Sequence, residues 1–283
     1  QHLNGRIDQA LLSERAIQDN ADEQSRLGLR RIRLSLTDSA LTSVRELSAD
    51  LQIGMLAAIG TGEVESQNLF ATEARTAMDD VLSRLSARNG ERFLFSGDAT
   101  ATRPFGTADE LLDDVRAIAA AATDEADFAA QLDTYFDDPA GGCQTSFYRG
   151  AQTASDPDSV LGNQSAFADV LRGLSVMALS HTAQSVPFTG ADSPALTTAL
   201  ERLERGRTEL VTIQANVGMR SANLDNELTL LEREQTLLNQ AFTDLAGKDQ
   251  FEAATQLREL EANLEASYLL TTRLSNLSIQ NFL

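Results

Sequence analysis

Apolar residues recur at every seventh position through Leu203, Leu210, Val217, Leu224, Leu231, Leu238 and Leu245. A seven-residue repeat held this long predicts a helix that supercoils left-handedly with a partner. The spacing places that helix over residues 196–245. Some fifty helical residues span about 75 Å at ~1.5 Å each, too long for a compact domain and suited to a rod. A neighbouring row holds Leu228 and Phe242 but is interrupted by Gln214, Ser221 and Gln235. Gly206 and Gly218 fall inside the helix and each costs up to ~1 kcal/mol against Ala. They mark either close helix contacts or tolerated positions. The row from Leu203 to Leu238 is expected to be buried against N-terminal helices.

The N-terminal flank supplies the matching pattern. Leu27, Leu34, Leu41 and Met55 share one heptad position, and Thr37, Val44, Leu51 and Ala58 share the next. Gly60-Thr61-Gly62 is a helix stop. A further helix is expected from Val64 to Arg88, with Ala71, Ala74, Met78, Val81 and Leu85 as its stripe and Asn89-Gly90 as a turn.

The middle of the chain is less regular. Phe93-Leu94-Phe95 reads as a short strand, with Phe93 and Phe95 anchoring it and Gly90 and Gly97 bending the chain. Helices are expected over 109–122, 125–136 and 166–180, and a second strand over Thr145–Tyr148. Residues 151–164 read as a polar loop and 181–194 as a linker. Gly247-Lys248-Asp249 is expected to interrupt the long helix, which restarts with Phe251, Leu257, Leu260, Leu264 and Tyr268. The predicted fold is mainly α. A long antiparallel coiled-coil rod is formed by the N- and C-terminal segments (1–95 and 196–283), ending in an assembly segment at 250–283. A smaller, mostly helical α+β domain is inserted at 96–195.

Composition narrows the function. The net charge of −19 argues against nucleic acid, which needs a basic footprint, and against anionic membrane surfaces. With Cys143 as the only cysteine, no internal disulfide forms and a thiolate zinc site is not expected. No apolar run is long enough to span a bilayer. The sequence opens at Gln1 without Met or a signal-peptide pattern, so the natural N-terminus is expected to lie upstream.

Catalytic chemistry has little to build on. His2 and His181 are the only histidines, and His181 has no cysteine or carboxylate at ligand spacing. Ser96 lacks the flanking glycines of a nucleophile elbow. Gly141-Gly142 lacks the Lys-Ser/Thr of a phosphate loop. Asp79-Asp80, Asp113-Asp114 and Asp137-Asp138 lack calcium-loop spacing and read as solvated faces. No enzymatic activity, cofactor or metal is expected.

Three stretches resemble the bacterial flagellin and hook-associated protein family. The first is Asp38 to Leu47 with the helix that follows the glycine stop. The second is Arg88 to Phe105, including Asn89-Gly90, Phe95, Gly97 and Pro104-Phe105, which is most similar to the hook–filament junction members. The third is the heptad helix with Asp244 to Leu257 and the tail. Within the first, Val44-Arg45-Glu46-Leu47 also resembles a flagellin segment recognised by a vertebrate receptor, but shared rod packing accounts for that similarity, and Arg45 and Glu46 read first as solvent-facing helix positions.

The resemblance implies an extracellular structural component of the flagellum, exported through the flagellar apparatus. It implies partners in copies of itself in a ring, a neighbouring hook-associated protein, filament flagellin and an export chaperone. Leu260, Leu264, Tyr268, Leu274, Leu277, Phe282 and Leu283 are then the self-assembly residues. A flagellin-like filament subunit, and a secreted coiled-coil adhesin or effector, are the alternative readings.

Overall fold

A computed structural model describes residues 2–280, with side chains described for 11–244, 255, 257–270 and 272–273. The order is α1 (His2–Thr61), α2 (Val64–Leu85), β1 (Arg88–Asn89), β2 (Arg92–Phe93), α3 (Ala108–Ala121), α4 (Glu125–Asp137), α5 (Ser165–Leu179) and α6 (Pro194–Gln280). The protein is mainly α, as its periodicity predicts. It divides into two compact units, residues 29–225 and residues 1–28 with 226–283, and α1 and α6 contribute to both.

In the 29–225 unit α1 and α6 run antiparallel, and the contacts show their register. Gln52 Nε2 donates to the Leu200 carbonyl at 3.0 Å, and Arg207 Nη1 donates to Gln52 Oε1 at 2.8 Å. Gln214 Nε2 donates to Thr42 Oγ1 at 2.7 Å, and Arg31 pairs with Asp225 at 3.4 Å. Partner numbers on α6 rise as those on α1 fall. Beside these polar rungs lie the heptad rows. Leu34, Leu41, Val44, Leu51, Met55 and Ala58 of α1 are buried, as are Leu203, Leu210, Val217 and Leu224 of α6.

In the unit of residues 1–28 and 226–283 the same antiparallel sense holds, with Gln24 Nε2 donating to the Leu231 carbonyl at 3.2 Å. Here Leu231 and Leu238, expected to be buried, are only half-buried. Among the described residues only α1 and α6 supply elements to this unit. A two-helix seam covers one side of each helix and no more.

The core of the 29–225 unit is α5. Every residue from Ala166 to Leu179 is buried. A helix buried on every face has to sit inside other elements, and α2, α3 and α4 pack against it. It crosses α6 at two glycines. A Cβ on Gly173 would lie 2.7 Å from Leu203 Cβ, and one on Gly206 would lie 2.8 Å from the Ala166 carbonyl oxygen. Gly206 is therefore a close-contact position, whereas Gly218 has open space around it.

The turn region follows the sequence in outline. Gly62 ends α1 with φ of 71°, its N–H donating to the carbonyls of Ala58 and Ile59. β1 and β2 pair antiparallel through Asn89 and Arg92, with Gly90 as the first loop residue at φ 63°. That is where a two-residue hairpin favours glycine. Phe95 is fully buried and meets Phe167 of α5 edge-on at 5.6 Å. Phe93 is half-buried beneath the Arg88 guanidinium, 4.6 Å from its ring centroid. Gly97 has φ of 58°, and a Cβ there would lie 2.6 Å from the Thr153 carbonyl oxygen, so both space and conformation demand glycine.

Four expectations need correction. Strand β2 is Arg92–Phe93 and stops before Leu94 and Phe95, whose backbones turn to bond Ala87, Gly162 and other loop groups. Cys143–Phe147 is a π-helical turn, so Thr145–Tyr148 is no strand. Only Tyr148 forms a bridge, to Phe105. Thr145 and Ser146 return their hydroxyls to the Gly141 and Gly142 carbonyls, which suits a helical turn. Helix α2 ends at Leu85, short of Arg88, with the Ser86 hydroxyl closing onto the Leu82 carbonyl. Finally, α6 runs unbroken through Gly247-Lys248-Asp249 to Gln280. One glycine costs ~1 kcal/mol but removes no backbone hydrogen bond.

The 151–164 loop is held firmly to its neighbours. Asp158 is buried and pairs with Arg30 at 2.8 Å, while Asp156 pairs with Arg33 at 2.7 Å. Tyr148 Oη lies 3.1 Å from the Phe95 carbonyl and 3.0 Å from that of Ala151, tying the loop to the turn.

Phe95→Ala should destabilise the protein by about 3–5 kcal/mol, the usual cost of emptying a buried phenyl site, measured by chemical denaturation. Burial pushes the Tyr148 hydroxyl up to about 12. A proton held more tightly in the folded state contributes stability that is complete below the ordinary phenol pKa. That contribution is lost as pH rises from about 10 through the folded value. Tyr148→Phe should cost roughly 1–3 kcal/mol at pH 7 through loss of the hydroxyl's bonds to the Ala151 and Phe95 carbonyls, the latter keeping only the Gly162 N–H. It should also flatten the loss of stability between about pH 10 and 12.

Candidate assembly surfaces and the buried ionic cluster

The densest group of charges joins α4, α5 and α6. Asp169 and Arg172 of α5 are both almost fully buried. Asp169 receives Arg205 Nε at 2.6 Å and Nη2 at 2.7 Å, a bidentate pair, and Arg202 Nη1 at 3.2 Å. Arg172 Nη1 reaches Asp133 at 2.5 Å, and Arg202 Nη2 bonds Asp133 at 3.0 Å and Asp137 at 2.8 Å. Three arginines thus meet three carboxylates. The hydrogen bonds that Arg205 donates to Asp169 raise its already high pKa further.

Beside this cluster lies a cavity of roughly 540 Å³ lined by Asp137, Gln144, Gln152, Asn163, Ser165, Arg202 and Arg205. Its arginines are committed to Asp133, Asp137 and Asp169, and its amides bond one another: Asn163 Nδ2 donates to Gln152 Oε1 at 2.7 Å. The arrangement holds α4, α5 and α6 together, and the Ser165 hydroxyl at its edge donates to Glu209 at 2.7 Å.

The acidic pairs are less free than their sequence suggests. Asp137 belongs to the ionic cluster, Asp114 accepts from the Tyr135 hydroxyl at 2.6 Å, and Asp79 and Asp113 pair with Arg75 and Arg116. Burial, with the Asp114 bond second, pushes the Tyr135 hydroxyl far up. His181 accepts from the Ala183 N–H through Nδ1 at 3.1 Å and caps a short turn. Cys143 is buried, and burial raises its thiol to about 12. Among the described residues no cluster of His, Cys, Asp and Glu could hold a metal ion, and no helix is long and apolar enough to cross a membrane.

The predicted self-assembly residues fall on α6 where the described side chains face water. Leu260, Leu264 and Tyr268 are 61%, 62% and 76% exposed, and Leu257 joins them on the same helical face. Leu274 and Leu277 lie in the helical backbone of α6, but their side chains, like Phe282 and Leu283 entirely, are outside the described residues. A second stripe went unread in the sequence. Leu29, Ile32 and Leu36 of α1 are all exposed at helical spacing, alongside the buried heptad rows. The signal was present, but the stronger seven-residue rows masked it. Contiguous exposed apolar side chains of this kind mark interaction surfaces.

Comparison with known proteins now gives these helices a context. Residues 200–283 match the family described as the bacterial flagellin C-terminal helical region. The crystal structure of Bacillus cereus FlgL has the same fold, with a TM-score of 0.53 at 14% identity, over 84% of this chain and 98% of that one. A Vibrio parahaemolyticus protein described as a flagellar hook-associated protein also gives 0.53 at 14% identity, over 83% of this chain and 95% of that one. The C-terminal helical region is thus similar to that of flagellins, and the fold is shared with these two proteins. A search of curated proteins finds no match to the chain. The flagellin-type region covers both the buried rows from Leu203 to Leu224 and the exposed stripe from Leu257 to Tyr268.

Because that stripe makes no core in the single chain, Leu260→Gln, Leu264→Gln and Tyr268→Gln should each change monomer stability by less than about 0.5 kcal/mol. Denaturant titration of the triple variant reads this directly, and a large loss would show the stripe to be a core face.

Proposed function

We propose that this chain is a structural subunit of the bacterial flagellum, an adapter at the junction of hook and filament. The observation that carries the reading is a fold shared with FlgL over 84% of this chain and 98% of that one. A flagellin-type C-terminal region supports it independently. The chain performs no chemistry in this role. Its work is mechanical: terminal helices pack laterally with those of neighbouring copies into a ring, and the 96–195 insertion sits outside that contact.

Leu260, Leu264 and Tyr268, with Leu274, Leu277, Phe282 and Leu283, supply the apolar face that neighbours bury. A leucine fully buried there contributes about 1.5–3 kcal/mol, enough over several residues to offset the ordering of a helical segment. The ring is flanked by another hook-associated protein and by filament flagellin. The subunit reaches its site outside the cell through the flagellar export apparatus, escorted beforehand by a chaperone.

A flagellin-like filament subunit is the second reading, favoured by the flagellin-type match at residues 200–283. Gene deletion separates the two: loss of a junction adapter sheds filament protein into the medium while hooks remain. The direct test adds the purified Leu260→Gln/Leu264→Gln/Tyr268→Gln variant and the unaltered protein to hook particles. The unaltered protein should bind hooks and support filament growth, and the variant should lose binding by at least about tenfold. A variant that caps hooks normally would remove the tail stripe from assembly.

A further inference from the structure

Helices α1 and α2 of the 29–225 unit enclose a groove of roughly 370 Å³. Leu47, Leu51, Phe70 and Ala77 line it with apolar surface, and the exposed carboxylates of Asp50, Glu73 and Asp80 flank them. Phe70 lies directly on the backbone of Gly54, where any Cβ would come within 2.2 Å of the ring. Among the described residues none of these three carboxylates has an ion-pair partner, although nearby Asp79 pairs with Arg75. Unpaired negative charge around apolar walls selects a partner that brings cations on an apolar support.

The same chain carries such a support. Residues 84–103 hold Arg84, Arg88, Arg92 and Arg103 against two carboxylates, Glu91 and Asp98, in a chain of net charge −19. Asp98 is already committed to the Ser155 N–H and hydroxyl. Arg88 rests over the Phe93 ring, which fixes a guanidinium on an aromatic base. On α1 four arginines are matched: Arg26 by Glu23, Arg30 by Asp158, Arg31 by Asp225 and Arg33 by Asp156. Arg84, Arg88 and Arg92 are exposed, with no carboxylate partner among the described residues.

We propose that the β1–β2 hairpin of one copy seats in the α1–α2 groove of a second copy, bringing Arg88 and Arg92 to Asp50, Glu73 and Asp80. The hairpin follows the C-terminus of α2, whereas the groove lies along Phe70 to Asp80 of the same helix. Donor and acceptor are thus different surfaces at different levels of one helix. Such a contact is heterologous, and its repetition links copies in series. The inference rests on the reading that copies of this chain assemble with one another, and it names a contact separate from the tail stripe.

The test uses two full-length charge-reversal variants: Arg88→Glu/Arg92→Glu in the hairpin and Asp50→Arg/Glu73→Arg in the groove. Association is followed by sedimentation velocity at about 20 mM salt and again at about 0.5 M, where surface ion pairs are largely screened. The unaltered protein should associate at low salt and dissociate at high salt. Each variant alone should associate at least about tenfold more weakly. An equimolar mixture of the two should recover, because each acidic hairpin then meets a basic groove and each basic hairpin an acidic groove.

An unaltered protein that stays monomeric at low salt overturns the proposal, as does a variant that associates normally or a mixture that fails to recover. Should charge reversal unfold either variant, Arg88→Gln/Arg92→Gln and Asp50→Asn/Glu73→Asn read the same contact, and normal association of both would again overturn it. No hook takes part in this measurement, so its failure stays distinct from failure of the flagellar reading.

Discussion

The 29–225 unit depends on α5 lying inside it with two charges that cannot reach water. Asp169 and Arg172 sit on a helix buried from Ala166 to Leu179. Burying an ion costs several kcal/mol unless it is paired and hydrogen-bonded, and removing one partner of such a pair costs about 3–5 kcal/mol. Arg202 and Arg205 of α6 and Asp133 of α4 supply the partners. Geometry has to cooperate, because a charge-assisted bond weakens quickly with distance. Gly173 and Gly206 bring the α5 and α6 backbones close enough for Arg205 to grip Asp169 with two nitrogens. Closeness and charge therefore enforce each other: a side chain at either glycine would part the helices that the ion pair draws together.

The α1–α6 seam adds a second constraint. A row of leucines at strict seven-residue spacing packs almost equally well after a slip of seven residues, so it fixes the face of the helix and leaves its register degenerate. The polar rungs remove that degeneracy. Gln52 with Leu200 and Arg207, and Thr42 with Gln214, occur at one register only. A slip would strand the buried Gln52 amide, at a cost of roughly 1–3 kcal/mol. The interruptions of the second heptad row are thus informative positions, in the way that a polar residue at a core position specifies pairing in coiled coils.

This separates what the sequence makes legible from what it hides. Periodicity is a local property, and Leu203, Leu210, Leu34 and Leu41 announce their burial through spacing alone. Glycines with positive φ at positions 62, 90 and 97 are legible for the same reason, since turn chemistry is local. The ionic cluster is not local. Asp133, Asp169 and Arg202 are far apart in sequence, so Asp137-Asp138 reads as a solvated pair until α4, α5 and α6 are brought together. Short apolar runs fail for another reason. Thr145 to Tyr148 has strand-like composition, but a strand needs a neighbour, and only Phe105 comes alongside Tyr148. Gly247 misleads in the opposite direction: its intrinsic penalty is small beside the many helical residues that flank it in α6.

Burial is uneven along α6, and that bears on the assembly surface. From Leu203 to Leu224 the heptad row is covered, and from Leu257 to Leu270 the described leucines face water. Both segments belong to the same flagellin-type region. A helix that buries one part of its apolar pattern internally spends that surface on folding, and the remainder stays available for contact with other chains. The apolar area left on Leu257, Leu260, Leu264 and Tyr268 has no stabilising role in the single chain, while its exposure to water is unfavourable by about 25 cal/mol per Å². In the proposed ring a neighbouring copy covers these side chains. The same reasoning applies to Leu29, Ile32 and Leu36 on α1, which turn away from the seam that holds Leu27 and Leu34. In the proposed ring, folding of the 29–225 unit and joining of neighbours draw on different residues of the same two helices. Substitutions can then weaken assembly without unfolding the subunit.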